Sequence, residues 1–350
     1  MLQPWLTEGC SSEIVSRLRD DSETAGPEDA RLIRASGGPA SLPQGERTLF
    51  IISGRCGRLA NRLVLFANFI ALAEEHGYRV MNPTFHSYAS FFETTRRDIY
   101  CQYPAARRRS LLDVMPGVAQ AIRGTRLFFR LARPLSLLNE RFPIFGSGMV
   151  TLRQSPGHEI TALDGKEVQS RIRHARIVLV NGWNFRAPAL VRIHAEKIRE
   201  YFRPIAELEQ ASAQAVARLR GRADLVVGVH IRRGDYRTLG GAKWFFPVSR
   251  YAQWMRELAE QFLTSKISFL VCSDEPRSLE EFPGLSVECR AGSPMADLYG
   301  LAKCDYIFGP VSTFSQWASF YGSKPLFHLK DANARLEREN FKVSDLHEIP

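Results

Sequence analysis

Leu225 to Ile231, LVVGVHI, is a run of seven residues that is apolar along nearly its whole length. A strand of an antiparallel sheet with one wet face alternates apolar and polar residues, whereas a near-continuous run fits the middle of a parallel sheet covered by helices on both faces. Related runs follow a similar plan: ARIVLVNGW from Ala175, KISFLVCSDE from Lys266, LSVEC from Leu285 and CDYIFGPVST from Cys304. Helical segments such as RYAQWMRELAEQFL lie between them. Strands that alternate with helices define an α/β chain.

A further unit stands earlier in the chain. RTLFIISG reads as a strand ending in glycine, and GRLANRLVLFANFIALAEEHG reads as a buried helix stopped at Gly77. The short strand YRVMN then completes a β-α-β unit. Before it, residues 1–45 are rich in Gly, Pro, Ser and acids without a sustained period, which predicts a mobile leader. The remaining 305 residues suffice for two α/β domains, expected over 46–180 and 181–350.

The net charge of +10 favours an anionic partner, and nucleic acid, anionic lipid and a phosphorylated small molecule all answer to that description. Arg123, Arg126, Arg130 and Arg133 fall along one side of a predicted helix, either as a solvated face or as a peripheral contact with anionic membrane. The first residues carry no basic start followed by an apolar run, so no signal peptide is read there. LVLFANFIALA, the longest apolar run, is too short to span a bilayer. The six cysteines are widely spaced and form no C-x-x-C pair, which suits reduced thiols in a cytoplasmic protein.

Chemistry is expected at the carboxyl ends of these strands, where open α/β sheets bind their ligands. LVVGVHI ends in Arg232, Arg233, Gly234 and Asp235. Side-chain alternation puts His230 and Arg232 on one face and Arg233 on the other, so the two arginines need not share a role. A guanidinium presents paired donors that match phosphate oxygens, a role that suits Arg232. The plainer alternative is an arginine-aspartate cluster that only pairs with itself. Arg233-Gly234-Asp235 is also the tripeptide of adhesive proteins, a role that needs export and a mobile loop.

Three further strand ends contribute. Ser312 or Thr313 caps a helix whose free N–H groups favour an anion. Asp274 could accept hydrogen bonds from a base or ribose, or simply stand as an exposed loop acid. In the first unit, Arg58 and Asn61 sit near a helix start. The sequence contains no Walker loop, G-x-G-x-x-G, H-E-x-x-H or C-x-x-C pattern, so no metal is expected.

In their order and spacing, HIRRGDY, GRLANRLVLFANFIALAEEHGYRV, VCSDE and DLYGLAKCDYIFGPVSTFSQWASFYGSKP resemble the GDP-fucose fucosyltransferases, above all the α-1,2-fucosyltransferase family. The resemblance covers about Leu49 to Asn82 and Leu225 to Pro325. It implies a GT-B-like architecture, with two Rossmann-like domains facing across a cleft, the first serving the acceptor and the second the GDP-sugar. It further implies inverting transfer of fucose from GDP-fucose to a hydroxyl of a sugar acceptor, without a metal or other cofactor.

Carried onto this sequence, the motifs place Arg232 at the donor's β-phosphate with His230 beside it. Ser312, Thr313 and Phe314 line the diphosphate site, Asp274 faces the nucleoside, and Asn61 reaches over from the first domain. The chain departs from the family pattern at Ala60-Asn61-Arg62, where Gly-Asn-Gln is usual, and at Gln316-Trp317, where paired tryptophans are expected. Inversion needs a group to take the acceptor proton: Asp235 is the first candidate and His86 the second, unless a phosphate oxygen takes it late. The competing expectation is a non-catalytic basic protein that binds nucleic acid or anionic membrane. The catalytic reading implies no nucleic-acid partner and a cytoplasmic protein, or one peripheral to the inner face of the membrane.

Overall fold

The computed structural model describes residues 48–54, 57–98, 100–105, 148–154, 159–290 and 293–348. The predicted leader and the Arg123 to Arg133 segment lie outside these residues. The first half carries β1 (Leu49–Ile52), α1 (Leu59–His76), β2 (Arg79–Met81), β3 (Gln102–Tyr103), β4 (Met149–Arg153), β5 (Thr161–Ala162), β6 (Ile177–Asn181) and β7 (Phe185–Arg186). The second half carries α2 (Ala206–Arg220), β8 (Leu225–Ile231), α3 (Val248–Ala259), β9 (Ile267–Ser273), β10 (Val287–Arg290), α4 (Pro294–Leu301), β11 (Tyr306–Pro310), α5 (Thr313–Gly322) and β12 (Leu326–Leu329).

Two five-stranded sheets result. The first has the order β3-β2-β1-β6-β4, and only β3 runs antiparallel. The second, β10-β9-β8-β11-β12, is parallel throughout. Its central strand is β8, the apolar run LVVGVHI. Val227, Val229 and Ile231 pack with Tyr251, Trp254 and Met255 of α3 on one face. On the other face Gly228 faces α4, where a Cβ would stand 2.7 Å from a Leu301 methyl. Glycine in mid-strand costs chain entropy, and here it lets the helix approach.

α1 is buried on nearly every face, from Leu59 to Ala73. It stops as expected at Gly77, whose φ of 68° is left-handed and whose N–H bonds Ala73 O. One apolar cluster joins α1 to α4 and α5 of the second half. At its centre Phe202 meets Phe66 edge to face at 5.5 Å and the buried Trp317 at 5.0 Å. Among the described residues no helix is long and apolar enough to cross a membrane.

Candidate active site

The parallel register aligns His230 with Cys272 and Ile231 with Ser273, so β8 and β9 end side by side. Beyond them the chain turns sharply, and Asp274 organises the turn. Its two carboxylate oxygens accept hydrogen bonds from Arg233 N at 2.8 Å and Gly234 N at 3.1 Å. A Cβ on Gly234 would stand 3.0 Å from Asp274 Oδ2, which accounts for glycine at that position.

The two arginines have separate partners. Arg232 donates from Nε to Asp235 Oδ1 at 2.9 Å and from Nη2 to Oδ2 at 2.7 Å, while its guanidinium lies 4.8 Å from the centre of the Tyr236 ring. These bonds hold the Asp235 carboxyl below its ordinary range against the opposing effect of partial burial, and Arg58 adds a weaker pull. Arg233 points elsewhere, to Glu275 at 3.2 Å, the Phe246 carbonyl at 3.1 Å and the Phe245 ring. Thus the Arg and Asp of the R-G-D tripeptide are each held by an internal ion pair.

Tyr236 donates its hydroxyl proton to Val311 O at 2.6 Å, tying this loop to the turn between β11 and α5. There Ser312 caps the helix, accepting from Phe314 N at 3.2 Å. The Phe314 ring packs on His230 with centroids 4.9 Å apart. His230 is buried, its Nδ1 has no hydrogen-bond partner, and its pKa is pushed down to about 3, first by burial and then by Arg232 and His328. At neutral pH it is an uncharged ring beside a guanidinium.

The first half reaches this site through Asn61, whose Oδ1 accepts from Thr313 Oγ1 at 2.5 Å. Gly57, with φ of 61°, lies against the Asn61 amide, where a Cβ would fall 2.3 Å from its nitrogen. Arg62 turns away from Asn61. It donates to Gly57 O, to Thr84 O at 2.9 Å and to Ser87 Oγ at 3.2 Å, so the residue that departs from the family pattern secures the turn after β2. His86 lies on that turn, with Nδ1 2.9 Å from Pro83 O. A carbonyl can only accept, so Nδ1 carries a proton and Nε2 is the basic nitrogen of the neutral ring.

The structure therefore gathers His230, Arg232, Asp235, Asp274, Ser312, Thr313, Phe314 and Asn61 around one edge, and places His86 on the turn after β2. Sequence reasoning missed Tyr236, although it lies inside HIRRGDY. It also missed Ser315, His328 and Glu348, which form a connected set behind α5. Ser315 stands in the capped turn, but Glu348 carries no local signal.

Two largely parallel α/β sheets with charged and capping groups at their carboxyl edges fit a GT-B-like fold. Residues 195–343 match the family model described as Glycosyl transferase family 11. The fold is similar to that of a mutant of Arabidopsis thaliana FUT1 in complex with GDP: 13% identity, TM-score 0.51, covering 95% of this chain and 82% of that one. NodZ α-1,6-fucosyltransferase co-crystallised with GDP aligns at 15% identity and TM-score 0.46, over 81% of this chain and 95% of the other. POFUT1 in complex with GDP aligns at 10% identity and TM-score 0.43, over 83% and 98%. No curated protein matches the sequence. Among the described residues no cluster of three or more His, Cys, Asp or Glu side chains is placed to hold a metal ion.

Proposed function

We propose that the protein transfers fucose from GDP-fucose to a hydroxyl of a sugar acceptor with inversion, and that the edge around Arg232 is the donor site. The observation that carries this reading is the two-pronged pairing of Arg232 with Asp235, beside the Ser312-capped start of α5. A carboxylate there occupies the same paired donors that a diphosphate oxygen would take. When the donor binds, Arg232 holds the β-phosphate and stabilises the charge that develops as the sugar leaves. The N–H groups of the first turn of α5 share that charge. The match to a glycosyl transferase family and the GDP-bound state of the FUT1 structure support the choice of donor. The α-1,2 linkage follows only from the motifs of the sequence.

Asp274, with both oxygens on the backbone of the motif, acts in this reading by holding the loop that carries Arg232. The acceptor proton has two candidate destinations within the chain. Asp235 is a weak base while Arg232 holds it, whereas the Pro83 bond leaves His86 with Nε2 as its basic nitrogen. The paired variants separate the two: Asp235→Asn weakens GDP binding if it orients Arg232, and His86→Gln lowers kcat with GDP binding intact if it takes the proton. Calorimetry with GDP tests the donor site itself. Binding by the parent that Arg232→Ala abolishes supports it, and equal binding by both proteins refutes it.

A further inference from the structure

The first turn of α5 rests on two imidazoles. Gly309 of β11 lies beside His328 of β12, and a Cβ on Gly309 would meet His230 O at 2.6 Å, so this glycine separates the two rings across three strands. Phe314 covers His230, and Ser315 Oγ lies 3.3 Å from His328 Nε2. Ser315 is fully buried and donates its one hydroxyl proton to Ser312 O at 3.0 Å, the carbonyl of the cap residue, which leaves its oxygen to accept from His328 Nε2. On its far side, His328 Nδ1 is hydrogen-bonded to the Glu348 carboxylate.

Glu348 also contacts α5 directly through its backbone. Gln316, which stands where the family pattern has tryptophan, donates from Nε2 to Glu348 O at 3.2 Å. The segment that leads to Glu348 is already anchored without the carboxylate. Lys342 pairs with Leu326, Ser344 N bonds Ser319 Oγ at 3.0 Å, and Leu346 is fully buried. The carboxylate is thus not needed to dock the segment. Its bond orders the His328 ring, and through it the serine of the helix turn.

We infer that Glu348 is a positioning residue for the donor site, acting through His328 and Ser315 to hold the cap and first turn of α5 where the diphosphate binds. The chain of bonds runs from the Glu348 carboxylate through Nδ1 and Nε2 of His328 to Ser315 Oγ and the Ser312 carbonyl. The inference rests on the donor reading above. A helix terminus binds an anion by presenting several N–H groups at once, so a small rotation of the turn is enough to weaken it.

GDP titration calorimetry, with melting curves on the same samples, tests this in the full chain. Glu348→Ala should weaken GDP binding about tenfold, the size of one charge-assisted bond lost. Glu348→Gln, which still offers an oxygen to Nδ1, should bind within about twofold of the parent, a difference well below one such bond. His328→Phe keeps a buried ring and should show the same loss as Glu348→Ala. In turnover assays KM for the donor should rise while KM for the acceptor is unchanged. Parent-like GDP binding by Glu348→Ala and His328→Phe overturns the inference, as does a loss that follows melting temperature across all three variants. A parent that does not bind GDP instead overturns the donor reading, and this inference with it.

Discussion

Arg232 and Asp235 meet in a geometry that a lysine cannot copy, because only a planar guanidinium offers two parallel donors to two oxygens. Arg232→Lys should therefore lose most of the GDP affinity while its melting temperature stays near the parent's; calorimetry and a thermal melt check both. His230 gives a pH signature. Its ordinary pKa of 6.5 falls to about 3 in the fold, so the neutral ring stabilises the protein fully above 6.5. That contribution is lost as pH falls from there toward 3. Melting temperature followed from pH 7 to 4 should decline less steeply in His230→Gln than in the parent. At this scale the sequence was informative where residues act through their neighbours in the chain. His230, Arg232 and Asp235 belong to one motif, and side-chain alternation separated Arg232 from Arg233. The role of Asp274 was not legible, because its oxygens bond a backbone turn 41 and 40 residues away. Glu348 could not be found either, since its partner His328 lies 20 residues off, on β12.

Elements were legible in proportion to their length. β8 and β9, seven residues each, show as apolar runs, and α1 shows both its burial and its glycine stop. β3, β5 and β7, two residues each, have no period to detect. Two elements meet at the site through their first turns, α1 with Asn61 and α5 with Thr313. Thr313→Val removes that bond and should reduce donor affinity by about 1 kcal/mol, the net worth of a typical hydrogen bond. Behind the turn, Trp317 is fully buried against Phe202 and Phe320. Trp317→Ala should cost about 3–5 kcal/mol in urea unfolding, as large aromatic truncations in a close-packed core do. Gly309→Ala should also destabilise, because its Cβ would press on the backbone of β8 rather than on a movable side chain.

Over the whole molecule the division of labour follows from which sheet holds which group. The second half supplies Arg232 just past β8 and Ser312 and Thr313 at the start of α5, and the first half supplies Asn61 on α1 with the His86 turn secured by Arg62. A sheet reveals its strands locally, but how the two halves join depends on contacts such as Phe202 with Trp317, which bring distant parts of the chain together. The sequence therefore indicated the fold class and the residues of the HIRRGDY motif, whereas the joining of the two halves came from packing. The measurement that bears most directly on fucosyl transfer is GDP release from GDP-fucose with a panel of sugar acceptors, for the parent and Arg232→Ala side by side. The account predicts acceptor-stimulated release by the parent and a loss of at least about a hundredfold in Arg232→Ala, the scale of removing a principal transition-state charge contact. Release from GDP-fucose that is absent in the parent, or undiminished in Arg232→Ala, would contradict it.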